Sequence, residues 1–304
     1  MLVPPLEIPV YIQVLRGAFR RATEREFTVL LAEDFEEQPA GEIFARLVLE
    51  GRIDGLLIAS TRAGHPLLDL LEQRPVPHVF VNRGVPGSGR NVVLDESGAA
   101  RLVLDHLVGL GHRTIALITG PSGLEPATRL AEAFTQYAAG LGLEPPAVVE
   151  SELLEADGMR AAEAVLDGLP EVTAIYATTV NQAVGAISTL HRSGRRIPED
   201  MSLVAHVDMP VTEFLTPRLT AVEMPLAELG AAGVDALIEQ IHTGELGRHR
   251  WRWTAPGRSR VHGPTQIGGR VCRRSRCASS EGQRSCESSS VRTPSPGPVR
   301  FSSS

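Results

Sequence analysis

The stretch Asn91–Pro121, NVVLDESGAARLVLDHLVGLGHRTIALITGP, decides how the rest of the sequence is interpreted. It opens with an apolar run that ends at Leu94, and the serine oxygen of Ser97 can accept from the first free amides of a helix. Helical spacing then continues to Gly111, a residue suited to the left-handed end of a helix. The residues on that face are Ala99, Leu102, Val103, His106 and Leu110. Because Thr114–Thr119 is short, apolar and β-branched, like a strand buried on both faces, the stretch predicts a βαβ unit.

Strands and helices alternate through the rest of the chain. The predicted strands are residues 1–3, 27–31, 53–59, 78–81, 147–150, 172–178, 202–206 and 219–222, with closing strands at 251–254 and 260–262. The predicted helices are residues 11–22, 43–49, 67–71, 127–139, 159–166, 182–190 and 226–241. Such alternation is typical of an α/β fold in which helices cover both faces of parallel sheets.

Pro- and Gly-rich segments divide this α/β body into two Rossmann-like βαβ subdomains. Residues 82–91 and 208–217 have that composition, and a third crossing is expected near Gly247. Such segments tolerate hinge rotation better than the interiors of helices and strands do. The predicted amino-terminal subdomain comprises residues 1–90 and 219–247, and the carboxy-terminal subdomain comprises residues 91–218 and 248–265.

The composition indicates a soluble protein with one large or two modest cores, since 42% of its 304 residues are hydrophobic. A membrane span needs about 18 consecutive apolar residues, and the sequence contains no such run. Its beginning, MLVPPLEIPV, has neither the basic start nor the long apolar run of an export signal. We therefore expect a cytoplasmic protein without a membrane anchor.

Charge differs between the body of the chain and its end. All 30 basic residues are Arg, which we attribute to the coding bias of a high-GC genome. Residues 267–304 contain seven Arg and two Glu, a net charge of +5, which leaves −11 for residues 1–266 within the total of −6. So acidic a body binds phosphate backbones poorly, and we expect any DNA contact to come from elsewhere.

Residues 266–304 lose the periodic apolar pattern. Eleven Ser and seven Arg fill the 38 positions from Ile267 onward, a composition that buries too little apolar surface to order itself. We predict a disordered tail that is either dispensable or read out of frame. Its cysteines, Cys272, Cys277 and Cys286, match no zinc-site spacing, so we expect free thiols and no metal or cofactor.

Several short motifs extend the argument beyond the central stretch. They are Asp95, Gly98, His106-Leu107, Leu110–Arg113 and Gly120-Pro121 within it, and Val10-Tyr11, Arg16-Gly17, Ile53–Gly55, Phe80–Arg83, Pro198–Ser202 and Leu215–Thr220 outside it. In order and spacing these motifs resemble the effector-sensing domain of the LacI/GalR (lactose/galactose repressor) family of bacterial transcriptional regulators. The match covers roughly residues 2–265, far more than any single motif. It implies the type I periplasmic-binding-protein fold.

A ligand site is expected where strand ends of the two subdomains face each other. Ligands of open parallel sheets bind beyond the carboxyl ends of the strands, where loops and helix amino ends converge. The candidate loops are residues 5–10, 60–64, 82–83, 122–129, 178–181 and 206–208. Together with the resemblance, this rule predicts as ligand-binding residues Ile8, Tyr11, Asn82, Arg83, Thr128, Arg129, Thr179, Asn181, His206, Asp208 and Met224.

The polar residues that the family resemblance implies are only partly present. Arg83 matches, whereas Asn82 stands where the family often has an acid. Arg129 lies near the expected ligand-clamping arginine, although an ungapped alignment puts that position at Thr128. Other expected polar positions are altered at Pro5, Thr179, Val180 and Val207. We infer either a ligand less rich in hydroxyls than a sugar or a sensor that has decayed.

Several of these residues also have a purely structural interpretation. Asn82 and Arg83 could instead fix the crossing loop, and His206 could pack rather than contact a ligand. Asp95 is expected to cap the following helix, and His112 to be a turn residue whose ring bonds nearby backbone. The aromatic candidates for stacking on a sugar are expected to pack in the core. They are Tyr11, Phe80 and Phe214.

Three classes of function remain. The first is the effector-sensing and dimerisation part of a LacI/GalR-like regulator, a homodimer that binds a sugar-like molecule and reaches operator DNA only through a head absent from this sequence. The second is a periplasmic-type sugar receptor, which the missing export signal disfavours. The third is an enzyme, disfavoured because no GxGxxG after a strand, Walker loop, HExxH or GxSxG is present. The loop Gly120–Gly123 alone could cradle a phosphate.

Overall fold

The computed structural model describes residues 1–34, 46–62, 64–73 and 76–244, together with the backbone of residues 261–262. Within these ranges the chain forms two sheets covered by helices. The predicted helix at 43–49 is confirmed over residues 46–49, and the predicted strand at 260–262 over residues 261–262. The predicted strand at 251–254 and the predicted tail with its cysteines lie outside the described residues.

The first sheet is parallel, with strand order β2-β1-β3-β4-β5. Its strands are β1 (Leu2–Val3), β2 (Ala32–Glu33), β3 (Leu56–Ile58), β4 (His78–Val81) and β5 (Asn91–Val92). Helices α1 (Val10–Glu24) and α7 (Leu226–Thr243) cover one face, and α2 (Pro66–Gln73) packs on the other. We call these elements the first lobe.

The second sheet has the strand order β11-β10-β9-β8-β6-β7, with β11 antiparallel to β10 and the other pairs parallel. Its strands are β6 (Ile115–Thr119), β7 (Ala147–Glu150), β8 (Ala174–Ala177), β9 (Ser202–Ala205), β10 (Thr220–Val222) and β11 (Val261–His262). Its helices are α3 (Glu96–Gly109), α4 (Glu125–Gly140), α5 (Glu155–Gly168) and α6 (Val180–Arg192). We call these elements the second lobe. No described helix is both long and apolar enough to cross a bilayer.

The central stretch joins the two lobes instead of building one βαβ unit. Asn91–Val92 pairs with β4 in the first sheet, whereas Ile115–Thr119 lies in the second. Between them the buried residues Val93 and Leu94 carry the chain across, and α3 packs against α4. The predicted strands and helix are confirmed as elements, but their assignment to one sheet is wrong. Residue spacing specifies the type of an element and does not specify which sheet a strand joins.

At each crossing between the lobes, one strand belongs to a different sheet from the one that the predicted subdomain boundary implies. Strand β5 belongs to the first sheet, although residues from 91 onward were assigned to the second subdomain. Strand β10 pairs with β9 in the second sheet, although residues from 219 onward were assigned to the first subdomain. The chain therefore crosses after Val92 and returns after Val222, where α7 packs on β3 and β4.

The second strand begins later than the sequence predicts. The predicted strand covers 27–31, whereas β2 comprises Ala32–Glu33, which pairs with Leu2 and Val3. Leu30 and Leu31 are 49% and 40% exposed. The register with the short strand β1 places the pairing at Ala32–Glu33. The more apolar residues 27–31 are therefore not the ones that pair.

Each lobe holds one pair of helices in backbone contact. A Cβ added at Gly17 or Gly230 would lie 1.8 or 2.0 Å from a carbonyl oxygen of the facing helix in the α1–α7 pair. A Cβ at Gly158 or Gly185 would lie 2.2 or 2.0 Å from a carbonyl oxygen in the α5–α6 pair. Any side chain at these four positions would push the helices apart, so glycine is required there.

Candidate ligand-binding site

A cavity of about 100 Å³ lies between the lobes at the carboxyl ends of the strands. The first lobe lines it with Ile8, Pro9, Val10, Tyr11, Asn82 and Arg83. The second lobe and the crossing line it with Leu94, Glu96, Gly120, Leu124, Pro126, Ala127, Leu130, Leu153, Thr178, Thr179, Val180, Asn181, His206, Val207 and Met209. Seven of the eleven predicted ligand-binding residues therefore meet at one cavity. Thr128, Arg129, Asp208 and Met224 do not line it.

A tight turn after β4 presents Asn82 and Arg83 to the cavity. The backbone N–H of Arg83 donates to the carbonyl of Val81 at 2.8 Å, and Asn82 has a φ of 67°. A bond from residue i+2 to residue i around a positive φ forms a rare, strained γ-turn, a region that Asn tolerates better than most residues. The Asn82 side-chain amide donates to the Tyr11 hydroxyl at 3.3 Å. Both residues therefore shape the crossing loop and line the cavity.

The guanidinium of Arg83 is buried among uncharged partners. Its Nε donates to the Tyr11 hydroxyl at 2.9 Å, and its Nη1 donates to the Ser60 carbonyl at 3.3 Å. Its Cζ lies 5.7 Å from the centroid of the Tyr11 ring, within cation–π range. Arg83 is only 7% exposed. Among the described residues, no carboxylate oxygen lies within the 4.0 Å that defines an ion pair with this guanidinium.

On the second-lobe side, His206 links a carboxylate to a phenol. Its Nε2 lies 2.7 Å from an oxygen of Glu96, and its Nδ1 contacts the hydroxyl of Tyr176. Burial, reinforced by the charge of Glu96, raises the pKa of Tyr176 well above its usual value, so the hydroxyl keeps its proton. His206 therefore packs against Tyr176 and lines the cavity at the same time.

Helix α6 begins at the cavity edge with a side-chain cap. The hydroxyl of Thr179 accepts from the Gln182 backbone N–H at 3.0 Å and donates to the Leu153 carbonyl at 3.0 Å. The Gln182 side chain accepts in return from the Thr179 N–H at 3.1 Å, which completes a capping box. Thr179 lines the cavity, but its hydroxyl is already engaged in starting the helix.

Three predicted site residues close turns or cross between lobes away from the cavity. The Thr128 hydroxyl donates to the carbonyl of Ser122 at 2.7 Å near the start of α4. Asp208 accepts from the Thr212 hydroxyl at 2.6 Å and so supports the 3₁₀ turn that follows β9. Met224 is buried at the second crossing. A polar residue in a loop after a strand can either contact a ligand or close a turn. Its position in the sequence does not distinguish these two roles.

Arg129, the fourth of these residues, takes part in a contact between the lobes. Its Nε lies 2.6 Å from Glu125, and its Nη1 donates to the Leu94 carbonyl at 3.1 Å. The other carboxylate oxygen of Glu125 accepts from the backbone N–H of Gly84 in the first lobe at 3.2 Å. Burial raises the pKa of Glu125, and Arg129 opposes that rise. This contact fixes the crossing loop beside the cavity.

Two of the structural expectations have clear outcomes. Asp95 caps α3 as predicted, since its carboxylate accepts from the Gly98 N–H at 3.0 Å, and Ser97 lies inside the helix. The expectation that the His112 ring bonds backbone is wrong. Its Nδ1 lies 2.8 Å from the Thr173 hydroxyl and its Nε2 2.9 Å from the Ser202 hydroxyl, so the ring ties together the starts of neighbouring strands.

The three aromatic candidates do not all pack in the core as predicted. Phe80 is 2% exposed and packs in the core as expected, and Tyr11 is buried but also lines the cavity. Phe214 is 80% exposed, so its predicted core position is wrong. It follows the 3₁₀ turn Pro210–Glu213, which turns it outward.

Sequence reasoning missed Glu96 and most of the apolar wall. Glu96 is a buried acid in the first turn of α3, and its only signal is an acidic side chain at a helix start beside a crossing. Leu124, Leu130 and Leu153 line the cavity with apolar surface. An apolar residue on a helix gives the same signal whether it faces a core or a cavity.

The chain resembles known proteins both in sequence and in fold. The family model described as "periplasmic binding protein-like domain" matches residues 104–259. The HTH-type transcriptional regulator CelR of Thermobifida fusca is 30% identical over 245 residues, 78% of this chain and 71% of CelR. A LacI family transcriptional regulator from Mycobacterium smegmatis superposes with a TM-score of 0.72 at 32% identity, covering 79% of this chain and 89% of that one. The CelR–cellobiose complex superposes with a TM-score of 0.75 at 27% identity, covering 80% and 77%.

Two lobes of parallel strands with a cavity at their facing strand ends define a ligand-binding domain of the periplasmic-binding-protein type. The family model, the alignment with CelR and the match to the LacI family regulator from Mycobacterium smegmatis make the assignment more specific. The chain belongs to the LacI family of transcriptional regulators.

Proposed function

We propose that this chain senses a small, sugar-like effector in the cavity between its lobes. The observation that carries the proposal is that both lobes line one cavity at their strand ends, with Tyr11, Asn82 and Arg83 on one side and His206 on the other. A ligand that contacts both sides favours the arrangement in which the sides are close, because it binds that arrangement more tightly. The relative CelR, solved as a complex with cellobiose, supports a sugar-like ligand.

In this proposal the chain acts in the cytoplasm as the sensing and dimerisation part of a regulator and is not an enzyme. In a regulator that carries both this sensing part and a DNA-binding part, ligand affinity and operator affinity are linked through the dimer, each changing the other by the same factor. The net charge of −11 over residues 1–266 disfavours contact between this body and phosphate backbones. The purified 304-residue protein should sediment as a dimer and should not shift operator DNA.

The test is a ligand screen combined with a blocked cavity. Thermal unfolding is followed with cellobiose, neutral monosaccharides and sugar acids, and any compound that raises Tm is titrated by calorimetry. Ala127→Leu adds a side chain at the cavity wall, whereas Ala139→Leu adds the same side chain at an exposed position of the same helix. A compound bound in the cavity should lose affinity with Ala127→Leu and keep it with Ala139→Leu. If no compound binds, or if both variants bind like the unmodified protein, the proposal is wrong.

A further inference from the structure

One buried positive charge on the cavity wall, that of Arg83, has no carboxylate within ion-pair distance among the described residues. Arg83 is the one Arg or Lys among the cavity-lining residues, and its described partners are a hydroxyl, a carbonyl and an aromatic ring. Burying an ion is costly unless it is paired, and neutral hydrogen bonds compensate only part of that cost. This site therefore favours an anion beside Arg83.

The nearby carboxylates are engaged by other groups. Glu96 lies 2.7 Å from His206, and Glu125 contacts Arg129 and the Gly84 N–H. Asn82, next to Arg83 in the γ-turn, is an uncharged residue that donates to Tyr11. A carboxylate at position 82 would supply the missing charge from the protein itself. In this chain a ligand can supply the anion that pairs with Arg83.

We propose that the effector carries a carboxylate that pairs with Arg83, and that this effector is a sugar acid of monosaccharide size. This inference rests on the proposed function and makes its ligand class specific. A guanidinium and a carboxylate form two parallel hydrogen bonds in matched geometry. The wall formed by Leu124, Leu130, Leu153 and Val180 faces a less polar part of the same molecule.

The test compares sugars that differ only in the carboxylate. D-glucuronate with D-glucose, and D-galacturonate with D-galactose, form two matched pairs, titrated into the full chain by calorimetry at one pH and ionic strength. Hydrogen bonds to charged groups are stronger than those between neutral groups. At least one acid should therefore bind roughly tenfold or more tightly than its neutral partner. Equal binding within both pairs, or tighter binding of the neutral sugars, would overturn the inference.

Three variants show whether the preference resides at Arg83. Arg83→Gln should remove the preference for the acid, whereas Arg16→Gln, at an exposed position of α1, should preserve it. Asn82→Asp keeps a residue that tolerates positive φ and adds the missing charge. It should raise the Tm of the ligand-free protein and reduce the acid-to-neutral affinity ratio roughly tenfold or more. An unchanged ratio in both Arg83→Gln and Asn82→Asp contradicts the inference even if these variants are less stable.

The two proposals fail in different ways. Binding of the neutral sugars alone, abolished by Ala127→Leu, retains the proposed function and rejects the carboxylate. Absence of binding by every sugar and sugar acid rejects both proposals. Binding of the acids that survives Ala127→Leu places them outside the cavity and also rejects both.

Discussion

The two lobes use the same packing device but assemble it from different parts of the chain. In the second lobe, α5 and α6 are neighbours in sequence with only β8 between them, and Gly158 and Gly185 allow their backbones to touch. In the first lobe, α1 and α7 touch through Gly17 and Gly230, with strands β2 to β10 and helices α2 to α6 between them in sequence. Contacts between distant residues form only after a larger loss of chain entropy. The first lobe therefore depends on a long-range contact where the second depends on a local one.

The largest effect is expected from substituting a contact glycine in either lobe. Gly230→Ala and Gly185→Ala would each place a Cβ 2.0 Å from a facing carbonyl oxygen, so the helices must separate. We expect each to lower the free energy of unfolding by about 3 kcal/mol or more, measured by urea denaturation. Gly168→Ala, at the end of α5, would meet no atom within 4 Å and should cost little. If Gly230→Ala lowered the free energy of unfolding only slightly while Gly185→Ala lowered it strongly, only the α5–α6 pair would be tightly packed.

A buried histidine in each lobe should make the protein sensitive to acid. Burial lowers the pKa of His78, at the start of β4, and of His112, just before β6, to about 4 each. Between pH 6.5 and 4 the unfolded chain binds protons that these folded rings do not, so stability falls as the pH falls through that range. His78 should account for about 2 kcal/mol of the loss.

Thermal unfolding between pH 7.5 and 4.5 tests this expectation separately for each lobe. His78→Gln and His112→Gln should each make the decline of Tm with acid shallower, because glutamine does not titrate. If one variant alone has this effect, acid sensitivity belongs to that lobe. If both decline like the unmodified protein, the buried histidines are not its cause.

The helix starts at the cavity should also differ between the lobes. Helix α6 opens with the Thr179–Gln182 capping box, whereas α1 opens at Pro9 without a side-chain cap. Thr179→Ala should lower the free energy of unfolding by about 1 kcal/mol, measured by urea denaturation. Thr23→Ala in α1, which removes only a hydroxyl bond to the carbonyl of Phe19, is the matched control and should have less effect. Equal losses would remove this difference between the lobes.

The smallest effect is expected at the surface ion pair before β9. Arg196 donates twice to Asp200 at 2.7 Å, and these hydrogen bonds hold the pKa of Asp200 well below its usual value. The pair stabilises the fold above the ordinary pKa of an aspartate, and this contribution fades as the pH falls below it. Asp200→Asn should therefore lower Tm slightly at pH 7, by an amount that shrinks near pH 3. A difference that grows in acid would contradict this account.

Element types were predictable from the sequence, but the sheet that each strand joins was not. The run TIALIT specifies a strand buried on both faces, and all five residues of β6 are buried. Strands β5 and β10 were each assigned to the wrong side of a crossing, because an apolar run fits either sheet equally well. Pairing is decided by tertiary contacts that local spacing does not encode.

The candidate site was predictable to the extent that it follows the ends of strands. Asn82, Arg83 and His206 each follow a buried strand and reach the cavity. Arg129 and Asp208 lie in equally suitable loops but bond within the protein. Short polar contacts inside a loop are decided by side-chain geometry, which the sequence does not contain.

The anchoring of the first crossing limits where relative rotation of the lobes can take place. Arg129 holds the carbonyl of Leu94, and His206 holds Glu96, so the chain is fastened to the second lobe from Leu94 onward. Val92 is fastened to the first sheet by its pairing with Val81. Val93 is therefore the one residue of this crossing between the two attachments. An effector that touches Arg83 and also Glu96 or His206 would thus contact both sides of this short connection.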